Sequence, residues 1–145
     1  MQLTDFDLME RGPRRFDTYA NRTLVPSPLG DFTIEMLVDI GKTPTPEMLA
    51  AASRLLEKFS ADKESLAQKV YRQYRAVCEA SYGPGWLKGC GVPEGLSLPR
   101  LHEYLNSRTL TVDSALNISV YTSPAWDREH GLYFDLVDGE WRFGE

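Results

Sequence analysis

Cysteine and histidine are scarce in this 145-residue chain, with two of each. Cys78 and Cys90 show no CxxC spacing, so neither a disulfide framework nor a cysteine-rich zinc module is expected. Both are read as reduced thiols of a cytosolic protein. The glycine-rich stretches "GPGW" and "KGCGVPEG" match neither GxGxxG nor GxxxxGK[ST], so no phosphate-cradling loop is indicated. No apolar run approaches the ~20 residues of a membrane helix. The opening "MQLTDFDLMERGPRR" is charged, without the apolar run of a signal peptide. A cytoplasmic location with no membrane partner is therefore expected. Repeats, low-complexity segments and domain-splitting linkers are also lacking. The length suits one domain, 1–145, able to bury a core without metal or disulfides.

Basic excess is missing too. The net charge of −5 speaks against nucleic acid as a partner. The run "RGPRR" holds too few arginines for a nucleic-acid footprint and reads as a solvated turn. The negative charge is segregated. Residues 113–145 carry seven acids (Asp113, Asp127, Glu129, Asp135, Asp138, Glu140, Glu145) against Arg128 and Arg142, which accounts for all of the −5.

What is present reads as strands, helices, then strands. "TDFDLM" suggests a short edge strand before a Gly12-Pro13 turn, and "FDTYANRTLVPS" is rich in β-formers. In "DFTIEMLVDI", Phe32, Ile34, Met36 and Val38 alternate onto one face. "TPEMLAAASRLLEKF" opens with Thr45 as N-cap, Pro46 at the first helical position and Glu47 at the positive end of the dipole. Met48, Leu49, Ala52, Leu55, Leu56 and Phe59 form its apolar stripe. Ser60 is expected to cap a second helix over 61–82, with Leu66, Val70, Tyr74, Val77 and Cys78 inward. "GPGW" is expected to stop it, 86–97 to be loop, and "LPRLHEYL" to be a short third helix. "TLTV" and "LNISVYT" flank a turn at Asp113-Ser114, with Leu116, Ile118 and Val120 sharing a face. "LYFDLV" and "EWRF" flank Asp138-Gly139, a strong hairpin signal. The two-residue loop sets Val137 opposite Glu140, Leu136 opposite Trp141, Asp135 opposite Arg142 and Phe134 opposite Phe143. Asp135 and Arg142 then lie opposite the apolar face. This order predicts an α+β fold: an antiparallel sheet from the N- and C-terminal strands, with two to three helices on one face.

The sharpest chemical candidate is Asp127, Glu129 and His130, two carboxylates and an imidazole within four residues. Such a set suits a divalent metal or acid–base work. A hydrolytic metal site needs ligands from other segments, and His102 is the only other histidine. The structural alternative is expected instead: Trp126 anchors the turn, Asp127 accepts backbone N–H groups, and Gly131 takes the awkward backbone angle. Cys–His catalysis would need Cys78 or Cys90 beside His102 or His130 and has no supporting signature. No metal, no cofactor and no catalytic residue are expected.

The layout resembles a family of small bacterial cytoplasmic domains of unknown function. The resemblance rests on "GDFTIEMLVDI", the helix start "TPEMLAAASRLLEKF", the Tyr-containing "KVYRQYRAV", a P-x-x-L helix, and above all W-D-x-E-H-G-L, here Trp126 to Leu132. The Gly/Pro-rich loop at 83–95 departs from the pattern. Some members resemble toxin-immunity proteins. The resemblance implies a non-enzymatic protein that neutralises a bacterial toxin by binding it. The expected contact surface is acidic, built from Asp135, Asp138 and Glu140. The alternatives are a metal-dependent enzyme using Asp127, Glu129 and His130, or a housekeeping interaction module.

Overall fold

Seven strands and one long helix dominate the computed structural model, which describes residues 1–9 and 15–144. The Gly12-Pro13 turn and most of the "RGPRR" run lie outside the described residues. The strands are β1 (Phe6–Met9), β2 (Phe16–Asn21), β3 (Thr33–Asp39), β4 (Leu105–Asp113), β5 (Ile118–Pro124), β6 (Leu132–Val137) and β7 (Glu140–Gly144). They form one sheet in chain order. Every neighbouring pair is antiparallel except β3 and β4, which run parallel. The parallel junction departs from the all-antiparallel expectation and has a simple cause. Residues 40–104 form a crossover that returns β4 to the same end of the sheet where β3 began.

That crossover corrects the helix assignment. A single helix α1 spans Pro46–Glu79, and Ser60 is an exposed residue in its middle rather than a cap. No Gly or Pro interrupts 59–66, and the inward stripe stays in phase through Leu55, Phe59, Leu66, Val70 and Tyr74. A Lys58–Asp62 pair, 2.9 Å and one turn apart, bridges the point where the break was expected. The start is as read: Thr45 Oγ1 accepts from Met48 N at 3.2 Å, with Pro46 in the first turn. α1 ends at Glu79, short of the expected 82, and "GPGW" opens a second helix α2 (Gly83–Cys90) rather than stopping the first and leading into a loop. Pro84 supplies the preset φ of a first turn. The third helical segment, Leu98–Tyr104, is 3-10.

The helices cover one face of the sheet. Phe32, just before β3, and Ile34, Met36 and Val38 of β3 are buried there, as are Leu110, Val112, Ile118, Val120 and Phe134. Phe32 meets Phe59 of α1 with ring centroids 5.0 Å apart. Leu116 does not join them. It sits in the β4–β5 turn with φ 66° and is 40% exposed. There Asp113 Oδ1 takes the N–H groups of Ala115 and Asn117, both at 2.9 Å, and the chain reverses before the apolar alternation begins. The β6–β7 register is the one expected, with Asp138 and Gly139 both at positive φ. Phe143 follows Trp141 onto the covered side, but it lies on the edge strand and stays 44% exposed.

Beneath α1, Tyr74 is fully buried and ties down the segment after α2. Its hydroxyl donates to Pro93 O and accepts from Leu96 N at 3.1 Å. Burial is the main cause pushing its pKa up to about 12.

Candidate functional site

The turn that carries Trp126 to Gly131 links β5 to β6. Trp126 is buried, its ring 5.3 Å from that of Tyr74. With the indole anchored, the next residues close a tight turn: Gly131 N donates to Asp127 O at 3.1 Å. Asp127 Oδ1 accepts from His130 N at 3.3 Å and lies 3.1 Å from His130 Nδ1. Gly131 has φ 72°, and a Cβ there would lie 2.6 Å from the Tyr121 ring. So the backbone roles read for Asp127 and Gly131 are those observed. Of the three candidate ligands, Asp127 and His130 meet each other, while Glu129 is simply exposed. Among the described residues no three His, Cys, Asp or Glu side chains gather as a metal-holding group.

Beside this turn lies a hollow of about 320 Å³, lined by Trp86, Cys90, Trp126, Asp127 and His130 among others. Trp86 of α2 is half-exposed yet fixed, because its indole N–H donates to Trp126 O at 2.7 Å. Cys90 and His130 share the hollow, but no hydrogen bond joins them, and His130 is turned to Asp127. Cys78 sits elsewhere, on α1, with Sγ 3.3 Å from Glu94 O. His102 is exposed, its Nδ1 3.0 Å from Pro99 O.

The hairpin acids are positioned by Trp141. Its indole N–H donates to Asp62 Oδ2 at 2.8 Å, which docks β7 on α1. Asp62 is held below the usual carboxylate range, first by its hydrogen bond to Lys58 and further by the indole. With Trp141 inward, Glu140 and Arg142 point to the opposite face, as do Val137 and Asp135 in register with them. Asp138 and Glu140 are exposed and Asp135 is half-buried. Asp135 does not pair with Arg142 as its position opposite that residue suggested. Its Oδ1 accepts the Ser119 hydroxyl at 2.7 Å instead.

No family model, curated protein or solved structure matches the chain.

The fold divides the acidic segment into two groups. Asp113 and Asp138 lie on turns at one end of the sheet, next to Asp39 at the end of β3. Asp127 and Glu129 lie at the opposite end, the length of β5 away, roughly 20 Å. The described acids of this segment therefore do not form one patch. The face opposite the helices also carries residues that sequence reasoning passed over. A hollow of about 450 Å³ opens there, lined by Glu35, Thr111, Ser119, Tyr121, Tyr133 and Asp135 among others. The signal for them was available. Ser119 and Tyr121 alternate with Ile118 and Val120, as Tyr133 and Asp135 do with Leu132 and Phe134, which puts them on the non-core face.

Proposed function

We propose that this protein is a non-enzymatic binding protein of the immunity type, which neutralises a basic protein partner by covering it. The observation carrying this reading is the β6–β7 hairpin. Its register turns Asp135 and Glu140 away from Trp141 onto the face free of helices, with Asp138 at the tip. Asp39 and Asp113 stand on the neighbouring strand ends. Exposed Phe16, Ile40, Leu116 and Val137 lie at this same end, so carboxylates alternate with apolar anchors. A surface of that kind suits the rim of a basic cleft, where charge steers encounter and apolar contacts hold the complex. The resemblance of Trp126–Leu132 to an immunity-like family makes a bacterial toxin domain the expected partner and the cytoplasm the expected compartment. No helix among the described residues is long and apolar enough to cross a membrane.

The test is co-expression with the product of the adjacent gene. Growth rescue and co-purification support the reading, and the absence of both removes it. Reversing Asp135, Asp138 and Glu140 together to lysine should slow association by about tenfold or more at low salt. The difference should shrink as the Debye length falls to about 3 Å near 1 M salt. Unchanged association would move the interface away from the hairpin, with fixed, half-exposed Trp86 as the next surface to probe.

A further inference from the structure

We infer that the open edge of β7 is a docking site for an extended, acidic segment of another protein, which adds to the seven-stranded sheet as a further strand. The inference goes beyond the immunity reading and does not depend on it. That reading uses the helix-free face, whereas this site is the sheet edge and the helix-covered side next to it.

The hairpin register decides which backbone groups face outward. Among the described residues β7 has β6 as its one strand neighbour. The Asp138-Gly139 turn makes Val137 and Glu140 a hydrogen-bonded pair, and bonded and non-bonded pairs alternate from there. Glu140, Arg142 and Gly144 therefore turn their N–H and C=O groups toward β6. Trp141 and Phe143 turn theirs to the open edge. One contact marks that direction: Lys69 of α1 reaches round the edge, and its Nζ donates to Trp141 O at 3.5 Å. The ammonium stands where the N–H of an added strand would stand.

The chemistry beside the edge selects the strand. A hollow of about 250 Å³ lies there on the covered side, lined by Lys69, Arg72, Gln73, Phe134 and Phe143. The two phenylalanine rings pack edge to face with centroids 5.7 Å apart, and Phe143 stays 44% exposed, so the apolar layer is left uncovered at β7. The described lining holds two cations and no carboxylate. Arg142 adds a third cation, exposed on the other face of the same strand. None of the three forms an ion pair among the described residues. Asp62 feels the charge of Lys69 but is paired with Lys58. In a chain of net charge −5, this edge is locally basic. A side chain placed opposite Phe143 or Trp141 points to the covered side, and one opposite Arg142 points to the free face. An antiparallel strand reading apolar, acidic, acidic from Phe143 toward Trp141 thus sets an aliphatic group on Phe143, one carboxylate against Arg142 and the next within reach of Lys69. A second copy of this chain fits less well. Antiparallel pairings centred on Glu140 or Arg142 oppose like charges, and one centred on Trp141 brings two Lys69 ammonium groups together.

The experiment is an amide-resolved NMR titration of the intact protein, with hydrogen exchange, using the capped peptide Thr-Val-Glu-Glu-Thr. Parallel titrations use Thr-Val-Gln-Gln-Thr and the first peptide N-methylated at valine. The expected result is a saturable shift centred on β7, with slowed exchange at the Trp141 and Phe143 amides and little change at Glu140, Arg142 and Gly144, which already face β6. Affinity should fall about fivefold or more for the glutamine peptide and for Arg72→Glu, since exposed charge pairs contribute modestly. N-methylation removes the donor aimed at Phe143 O and should weaken binding about tenfold or more. If Arg72→Glu does not fold, the three peptides on the unaltered protein still decide. Exchange slowed equally at alternate residues, a failure to saturate, indifference to N-methylation, or equal binding of the glutamate and glutamine peptides would overturn the proposal. Protection of Trp141 and Phe143 that rises with protein concentration alone would assign the edge to a second copy and overturn it too. The titration needs no toxin, so its failure and the failure of the immunity reading are distinguishable.

Discussion

Trp141 offers the sharpest check on how the acidic hairpin is held. The indole is 9% exposed and its N–H reaches Asp62 Oδ2 at 2.8 Å. Trp141→Phe keeps most of the buried ring and deletes that hydrogen bond. Hydrogen bonds to charged groups contribute about 1.5–3 kcal/mol. Asp62 keeps Lys58 and is 27% exposed, so water partly replaces the indole. The loss should therefore fall at the low end, about 1–2 kcal/mol. Trp141→Ala also opens a cavity and should cost about 3–5 kcal/mol. Arg142→Ala, one residue away and exposed on the free face, should change stability by about 0.5 kcal/mol or less. Urea melts at neutral pH, compared at constant m, give the three values. Equal effects of Trp141→Ala and Arg142→Ala would mean that β7 is not docked on α1. The same contact predicts an acid limb. The carboxyl of Asp62 is lowered in the folded state, so it stabilises the fold above the unfolded value of about 3.9. That contribution is lost as pH falls from there through the folded value. Asp62→Asn should flatten the dependence of stability on pH in this window.

Ser60→Ala separates one helix from two. Within continuous α1, alanine should stabilise by about 0.5 kcal/mol, whereas loss of an N-cap would destabilise by about 1 kcal/mol, so the direction of the urea midpoint shift is enough. Gly131→Ala should cost more than Gly139→Ala in the same melts. Both have positive φ, but only at Gly131 does the new Cβ meet a ring, and equal costs would remove the Gly131–Tyr121 packing. Tyr74→Phe leaves Leu96 N without its acceptor and should cost about 1–3 kcal/mol, with faster hydrogen exchange at the Leu96 amide. In the parent protein Tyr74 should be among the last tyrosines to ionise. The stability it lends below pH 10 should drain away as pH rises toward about 12, and Tyr74→Phe should lack that alkaline loss.

Local chemistry determined much of this protein. The period-two apolar pattern of β3, the Thr45-Pro46-Glu47 helix start and the Asp138-Gly139 turn each act within a few residues, and each is legible without the fold. The roles of Trp126, Asp127 and Gly131 in their turn belong to the same class. Where cues competed, the tertiary structure decided. Ser60 is a plausible cap in isolation. The continuous apolar stripe packed along the sheet outweighs it, because breaking α1 would expose Leu66 and Val70. The parallel β3–β4 junction depends on where a 65-residue crossover lands, which no short pattern encodes. The free-face hollow is still less local, since its walls come from five strands up to 119 residues apart (Phe16 to Asp135). Alternation tells which face each residue occupies, but only the pairing of the strands makes neighbours of Glu35, Ser119, Tyr121, Tyr133 and Asp135. For the same reason the acidic segment, continuous in the chain, is divided between the two ends of the sheet. Strand β5 runs the length of the sheet between Asp113 and Asp127 and carries the charges apart.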